Sequence, residues 1–254
     1  MSTPEPINRR RALTAFGTVS LGALLAACST DSSSGSGSST TASSTTAGGT
    51  TATNGQNLFD EAASCTVSPE QTEGPFYFDV DAIRSDIRED RDGTPLRLAT
   101  RVLDAETCEP ITNAVVDVWH CDAEGIYSGF ESASTGGDDT RDDTTYLRGA
   151  QVTNSEGVAE FTTIYPGWYQ GRTTHIHVKV HLDNSTLLTS QLYFPEDAND
   201  GVYALEPYAS DAGRTTTNDR DGIFDESMVM TVSPDGEGYL AVMTINVLPS
   251  GASG

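Results

Sequence analysis

A chain of 254 residues with a formal charge of −23 repels nucleic-acid backbones and anionic lipid surfaces, which excludes both as electrostatic partners. Lys179 is its only lysine, so no lysine-rich binding patch exists. An anionic ligand would have to be drawn in by positive charge local to its site.

At the N-terminus Asn8 precedes Arg9, Arg10 and Arg11, an apolar run follows over 12–27, and the run ends Leu25-Ala26-Ala27-Cys28. It is too short and too rich in Ala and Gly to span a bilayer comfortably, so residues 1–28 are expected to be an export signal of the twin-arginine type. Leu-Ala-Ala-Cys has the form of a bacterial lipoprotein cleavage site. Cleavage there would leave Cys28 as the first mature residue with lipid on its sulfur, and two or more acyl chains anchor a protein stably. The expected location is therefore the outer face of the cytoplasmic membrane or the cell wall, with the membrane touched only through the lipid, or the medium if Cys28 is lost with the signal. Residues 29–57 are almost wholly Ser, Thr, Gly and Ala. They lack the apolar surface that offsets the entropy of folding and are expected to form a disordered tether reaching on the order of 30 Å. Residues 58–254 suit one domain.

Within that domain three cysteines remain, and exported proteins pair theirs. Cys108 and Cys121 flank a strand predicted over 112–120, whose length sets them about 25 Å apart, beyond disulfide reach. Cys65 is therefore expected to pair with Cys108 or Cys121. Strand signals recur at 97–103, at 114–120 as its hairpin partner, at 151–153 and 158–164 across a compact hairpin turn, and at 172–181, 189–194, 229–232 and 239–247. Between them lie a polar loop at 130–145 and an irregular acidic stretch at 195–225. The acidic runs at 138–143 lack the alternation of a calcium loop and are expected to be solvated. No amphipathic helical stretch of convincing length interrupts this pattern, which predicts an all-β, two-sheet β-sandwich.

Chemistry concentrates at 165–177, YPGWYQGRTTHIH. Residues two apart on a strand share a face, so His175 and His177 project together and can hold one metal ion, while Ile176 turns into apolar packing. A phenolate from Tyr165 or Tyr169 is able to fold back to the same ion. A second tyrosine, Tyr127, closes the stretch WHCDAEGIYSGF at 119–130, again at a turn after an apolar strand. Two tyrosines and two histidines suit ferric iron, since phenolate is a hard anionic donor. His120 and His181, the other two histidines, are expected to be structural or exposed; His181 lies about 13 Å along the strand from His177.

Five ordered segments carry a resemblance to the intradiol ring-cleavage dioxygenases, the catechol and protocatechuate dioxygenase family: TEGPFYFD at 72–79, RSDIRED at 84–90, VDVWHCDAEGIYSG at 116–129, the run from YLRGAQV to HIHVKV at 146–180, and QLYFPED at 191–197. The resemblance implies a non-haem Fe(III) centre held by Tyr127, Tyr169, His175 and His177, with Tyr169, after the Pro-Gly turn, taking the role for which Tyr165 competes. It gives Arg172 the task of stabilising negative charge on a substrate ring and Gln191 that of bonding a substrate or dioxygen-derived oxygen. Gly74, Pro75 and Phe76 correspond to a pocket-lining turn. The implied reaction inserts dioxygen into a catechol-type aromatic and yields a muconic acid. The segment between Tyr169 and His175 is much shorter than in well-known members, so the pocket wall is expected to differ. Catechol-cleaving members pair through a helical N-terminal segment; here that region is the tether, and no oligomeric state follows. Two other readings of the residues remain open: a non-catalytic β-sandwich binding or adhesion module at the cell surface, which would hold no metal, and a copper or zinc protein, in which the tyrosines would be ordinary aromatics.

Overall fold

Strand β1 (Pro95–Asp104) buries Leu96, Leu98 and Val102 from one face, and β2 (Val115–Trp119) does the same with Val116 and Val118. Such one-sided strands bury their apolar faces by stacking two sheets. The computed structural model describes residues 58–59, 65–130, 142–210 and 213–249. The predicted signal with Cys28 and the whole of the tether predicted at 29–57 lie outside the described residues, as do residues 131–141 of the loop predicted at 130–145; Asp142 and Asp143 of its acidic runs are described and exposed. The remaining strands are β3 (Arg148–Val152), β4 (Val158–Ile164), β5 (His175–Leu182), β6 (Ser185–Tyr193), β7 (Thr231–Asp235) and β8 (Gly238–Val247). They form two four-stranded sheets, ordered β4-β1-β8-β7 and β3-β2-β5-β6. Leu98, Phe161 and Ile245 from the first sheet meet Val116, Val118, Ile176, Val178 and Leu192 from the second in one core. The all-β, two-sheet sandwich is the observed fold.

The pairing differs from expectation at two places. β1 does not form a hairpin with β2; it pairs antiparallel with β4 and parallel with β8, while β2 lies between β3 and β5. The two strands face each other across the core, where each satisfies its apolar side. The turn at 154–157 closes with hydrogen bonds from Gly157 N to Asn154 O and from Asn154 N to Val158 O, yet β3 and β4 belong to different sheets. It is a corner rather than a hairpin. The acidic stretch at 195–225 also holds an α-helix, α1 (Glu196–Tyr203), entered through Pro195 with Glu196 and Asp197 in its first turn, where acidic side chains favour the helix dipole.

Cys65 pairs with Cys108, and Cys121 is a buried free thiol. The segment after Cys65 is laid along the sandwich by bonds from Ser68 N to Asn246 O and from Gln71 N to Thr189 O. That path carries residues 72–77 onto the outer face of β5, which explains why β5 is buried on both sides.

Candidate metal centre

His175 and His177 leave the same face of β5, opposite Tyr193 on β6 and Trp119 on β2 respectively, while Ile176 enters the core. Their Nε2 atoms stand 3.1 Å apart. Tyr127 Oη lies 3.3 Å from His175 Nε2 and 3.1 Å from His177 Nε2, and Tyr169 Oη lies 3.2 Å from His175 Nε2. Four donor atoms from three segments thus face one point. Around a metal ion with bonds of about 2.0 Å, tetrahedral donors stand about 3.3 Å from one another, so the spacing fits a coordination shell. Tautomers agree with it: His175 Nδ1 is 2.7 Å from Thr173 O, which only accepts, so Nδ1 carries the proton and Nε2 keeps its lone pair.

Burial decides the charge of these groups. It holds both imidazoles neutral, well below the usual histidine range, with the Arg172 charge acting the same way. It pushes the Tyr127 phenol well up and Tyr169 to about 12, the latter against the opposing pull of Arg172. Phenolates at this depth need a cation at bonding distance to replace their protons. Among the described residues no group of three or more His, Cys, Asp or Glu side chains is placed to hold a metal. Any ion bound here therefore has phenol oxygens as half of its protein donors, a set that fits a hard, highly charged metal.

The two tyrosine-bearing turns come close because glycine stands where they touch. Gly125 has φ +82, and a β-carbon there would lie 2.3 Å from Trp168 O; one on Gly167 would lie 2.4 Å from Asp122 O. Gly167 N instead donates to Asp122 O at 2.9 Å. The Asp122 carboxylate accepts from Glu124 N and Ile126 N at 3.0 and 2.9 Å, which shapes the turn presenting Tyr127. Rings fix the rest. Trp119 stacks on His177 (4.8 Å, 6°) and Phe76 on Tyr127 (4.7 Å, 18°), and a β-carbon at Gly74 would stand 3.3 Å from His177 Cε1. Residues 74 and 76 of the Gly74-Pro75-Phe76 turn therefore border the donor set. His177 Nδ1 is buried with no hydrogen-bond partner, so this ring is held by its faces.

Arg172 stands beside the centre, where its Nε donates to Asp221 Oδ2 at 2.9 Å and its Nη2 to Gln191 Oε1. Gln191 is opposite His177 on β6, fully buried, and donates through Nε2 to Thr72 O at 2.9 Å. Tyr165 is directed elsewhere: its Oη donates to Asn199 Oδ1 at 2.8 Å and its ring packs on Phe194. His120 is tied to Cys121 O and Thr163 Oγ1, both at 2.7 Å, and His181 to Thr186 Oγ1 at 3.0 Å. Sequence reasoning passed over Asp221, Thr72, Trp119 and Tyr193. Thr72, Trp119 and Tyr193 lie within the segments that carry the family resemblance, whereas Asp221 lies in none of them. A cavity of about 450 Å³ among Phe59, Val67, Val229 and Thr244 contains none of the donor residues; donor convergence, not cavity size, marks this centre.

Comparison with known proteins bears on the family. A family model described as dioxygenase matches residues 68–219. An intradiol ring-cleavage dioxygenase from Tetranychus urticae superposes with a TM-score of 0.69 at 34% identity, covering 73% of this chain and 96% of that one. A chlorocatechol 1,2-dioxygenase from Rhodococcus opacus is 32% identical over 130 residues, 44% of this chain and 48% of that protein. Catechol 1,2-dioxygenase 1 from Acinetobacter lwoffii is 28% identical over 153 residues, 51% and 47% of the two chains. The chain thus spans about half the length of the curated relatives it matches. On the family match and the likeness to the Tetranychus enzyme, this chain belongs to the intradiol ring-cleavage dioxygenases.

Proposed function

We propose that the domain is a non-haem ferric dioxygenase that cleaves a catechol-type ring between its two hydroxylated carbons to give a muconic acid. The observation that carries this reading is the convergence of Tyr127, Tyr169, His175 and His177, with donor separations of 3.1–3.3 Å. Ferric iron held there would supply a Lewis acid that favours the dianion of a bound catechol and so makes its ring reactive toward dioxygen.

The side chains divide the remaining work. Tyr127, fully buried and stacked on Phe76, is the permanent oxygen donor. Tyr169 is less enclosed and lies on a loop; it takes a substrate hydroxyl proton as the catechol arrives, acting as an internal base. The Arg172 guanidinium stays charged in this partly dry site and stabilises negative charge on the ring. Its bonds to Asp221 and Gln191 fix its direction. Gln191 uses one Nε2 hydrogen on Thr72 O, leaving the other for a ligand oxygen. Gly74 leaves room beside His177, while Phe76 and Trp119 exclude water from the donor set.

Metal analysis, visible absorption and ring-opened product from catechol, protocatechuate and hydroxyquinol test the proposal together. A coloured, iron-containing protein that yields a muconic acid is expected; a colourless zinc protein, or one that holds no metal after iron loading, overturns it. The same proposal sets the domain outside the cytoplasm on a lipidated Cys28. Cys28→Ala should release it from membranes with its catalytic activity unchanged, and persistent membrane association would defeat the lipoprotein part.

A further inference from the structure

The loop at 166–174 carries both Tyr169 and Arg172, and it is short. Within it, one turn is closed by Arg172 N donating to Tyr169 O at 3.2 Å. Its two ends are joined by a residue from outside. Tyr203, the last residue of α1, places its Oη 3.0 Å from Pro166 O and 2.8 Å from Thr174 Oγ1. A phenol has one proton, and the Pro166 carbonyl can only accept, so Tyr203 donates to Pro166 O and must accept from Thr174. The result is a directed chain, Thr174 hydroxyl to Tyr203 hydroxyl to Pro166 carbonyl, closing the loop at its base. Pro166 and Thr174 are buried, where water does not readily substitute for a lost partner.

Helix α1 is itself fixed in place by the following segment. Arg214 pairs with Glu196 in the first turn, and Asn218 N donates to the same carboxylate at 2.5 Å. Asn218 Oδ1 accepts from Thr173 Oγ1 at 2.7 Å, and Asp221 accepts from Thr173 N at 2.9 Å. The helix, its pairing segment and the loop therefore form one closed hydrogen-bonded unit with Tyr203 at its centre.

We infer that Tyr203 is a positioning residue that clasps the base of the 166–174 loop and thereby sets where Tyr169 and Arg172 stand relative to His175. This rests on the assignment of Tyr169 to the metal centre. Tyr203 touches neither donor atoms nor substrate; it acts through the loop.

Thr153→Val is the control, because Thr153 also carries a buried hydroxyl that accepts from a backbone amide, Ala114 N, and donates to a carbonyl, Ile111 O, with no bond to the 166–174 loop. Hydrogen-exchange mass spectrometry on the metal-free proteins is the first readout. Tyr203→Phe should speed exchange in peptides spanning 166–174 about tenfold, the scale of one net hydrogen bond, and Thr153→Val should leave them near wild type. The second readout is the visible absorption of the iron-loaded proteins, which should shift in Tyr203→Phe and stay fixed in Thr153→Val at a comparable loss of thermal stability. Equal exchange in the two variants overturns the clasp. Faster exchange with an unmoved band makes Tyr203 structural only and overturns the positioning role. If iron-loaded wild type shows no band, the ferric reading fails, and the metal-free exchange comparison alone decides the clasp. Should Tyr203→Phe not fold, Thr174→Val opens the same chain of bonds from its other end, and Thr174→Ser should restore wild-type exchange.

Discussion

Gly125→Ala tests whether the contact between the two tyrosine-bearing turns holds the metal centre together. Two costs can be worked from the geometry. At φ +82 an alanine sits in the left-handed region, a strain of roughly 1–2 kcal/mol. Its β-carbon would also lie 2.3 Å from Trp168 O, where ordinary contact begins at 3.4 Å, so one backbone must retreat by about 1 Å. Metal sites tolerate donor shifts of only about 0.2 Å, and Tyr169 adjoins Trp168. The variant should therefore lose Tyr169 as a donor while Tyr127, His175 and His177 retain part of the iron, with a weakened, shifted visible band. The strain and displacement together should lower stability by about 2–4 kcal/mol. Iron per chain, the absorption spectrum and chemical denaturation measure all three. A folded Gly125→Ala protein with wild-type iron content, spectrum and midpoint would refute the claim that this backbone contact sets the donor geometry.

Tyr127→Phe and His175→Ala each remove a buried donor and should sharply reduce both iron content and activity; wild-type occupancy in either would overturn the ligand set. Tyr169→Phe should keep some iron and slow catechol association in rapid-mixing spectra without dioxygen. Tyr165→Phe should keep the band and cost about 1–2 kcal/mol through the lost bond to Asn199, and the two assignments exchange if the spectra come out the other way. Asp117 gives a pH-dependent test, because burial raises its carboxyl from 3.8 to about 6, against the lowering effect of the Tyr77 hydrogen bond. The folded state then binds this proton more tightly than the unfolded state, so stability is lost as pH rises from about 4 to about 6, by about 3 kcal/mol at most. Asp117→Asn keeps an acceptor for Tyr77 Oη and should be more stable than wild type above pH ~6, the difference vanishing below pH ~4; urea denaturation across this range that showed a constant difference would refute it.

Strand identity was readable because the alternation is local: residues two apart in β1, β4 and β8 declare one apolar face without knowledge of the partner. Partner choice was not. The turns at 104–110 and 154–157 have the composition of hairpin turns, and only the facing of two sheets across the core separates β1 from β2 and β3 from β4. Helix α1 escaped notice because its sequence is polar and buries only Asn199 and Val202; it is held by Arg214 and Asn218, neither of which lies within it.

The four side chains that converge were readable for the opposite reason. Tyr and His in alternate or turn positions carry their chemistry in their own side chains, whereas the residues that aim them look like ordinary loop composition. Acidity shows the difference most directly. A formal charge of −23 describes a solvated surface, and nothing in it distinguishes one carboxylate from another. Yet Asp122 and Asp221 are buried, and each organises one of the tyrosine-bearing segments. Asp122 accepts from the backbone of the turn that ends in Tyr127, and Asp221 accepts from Arg172 and from Thr173 N in the loop that carries Tyr169. Asp221 is 48 residues from Thr173 in sequence, so no local pattern could have joined them. The donor atoms are specified by residue type, and their convergence is specified by carboxylates that only the folded chain removes from water.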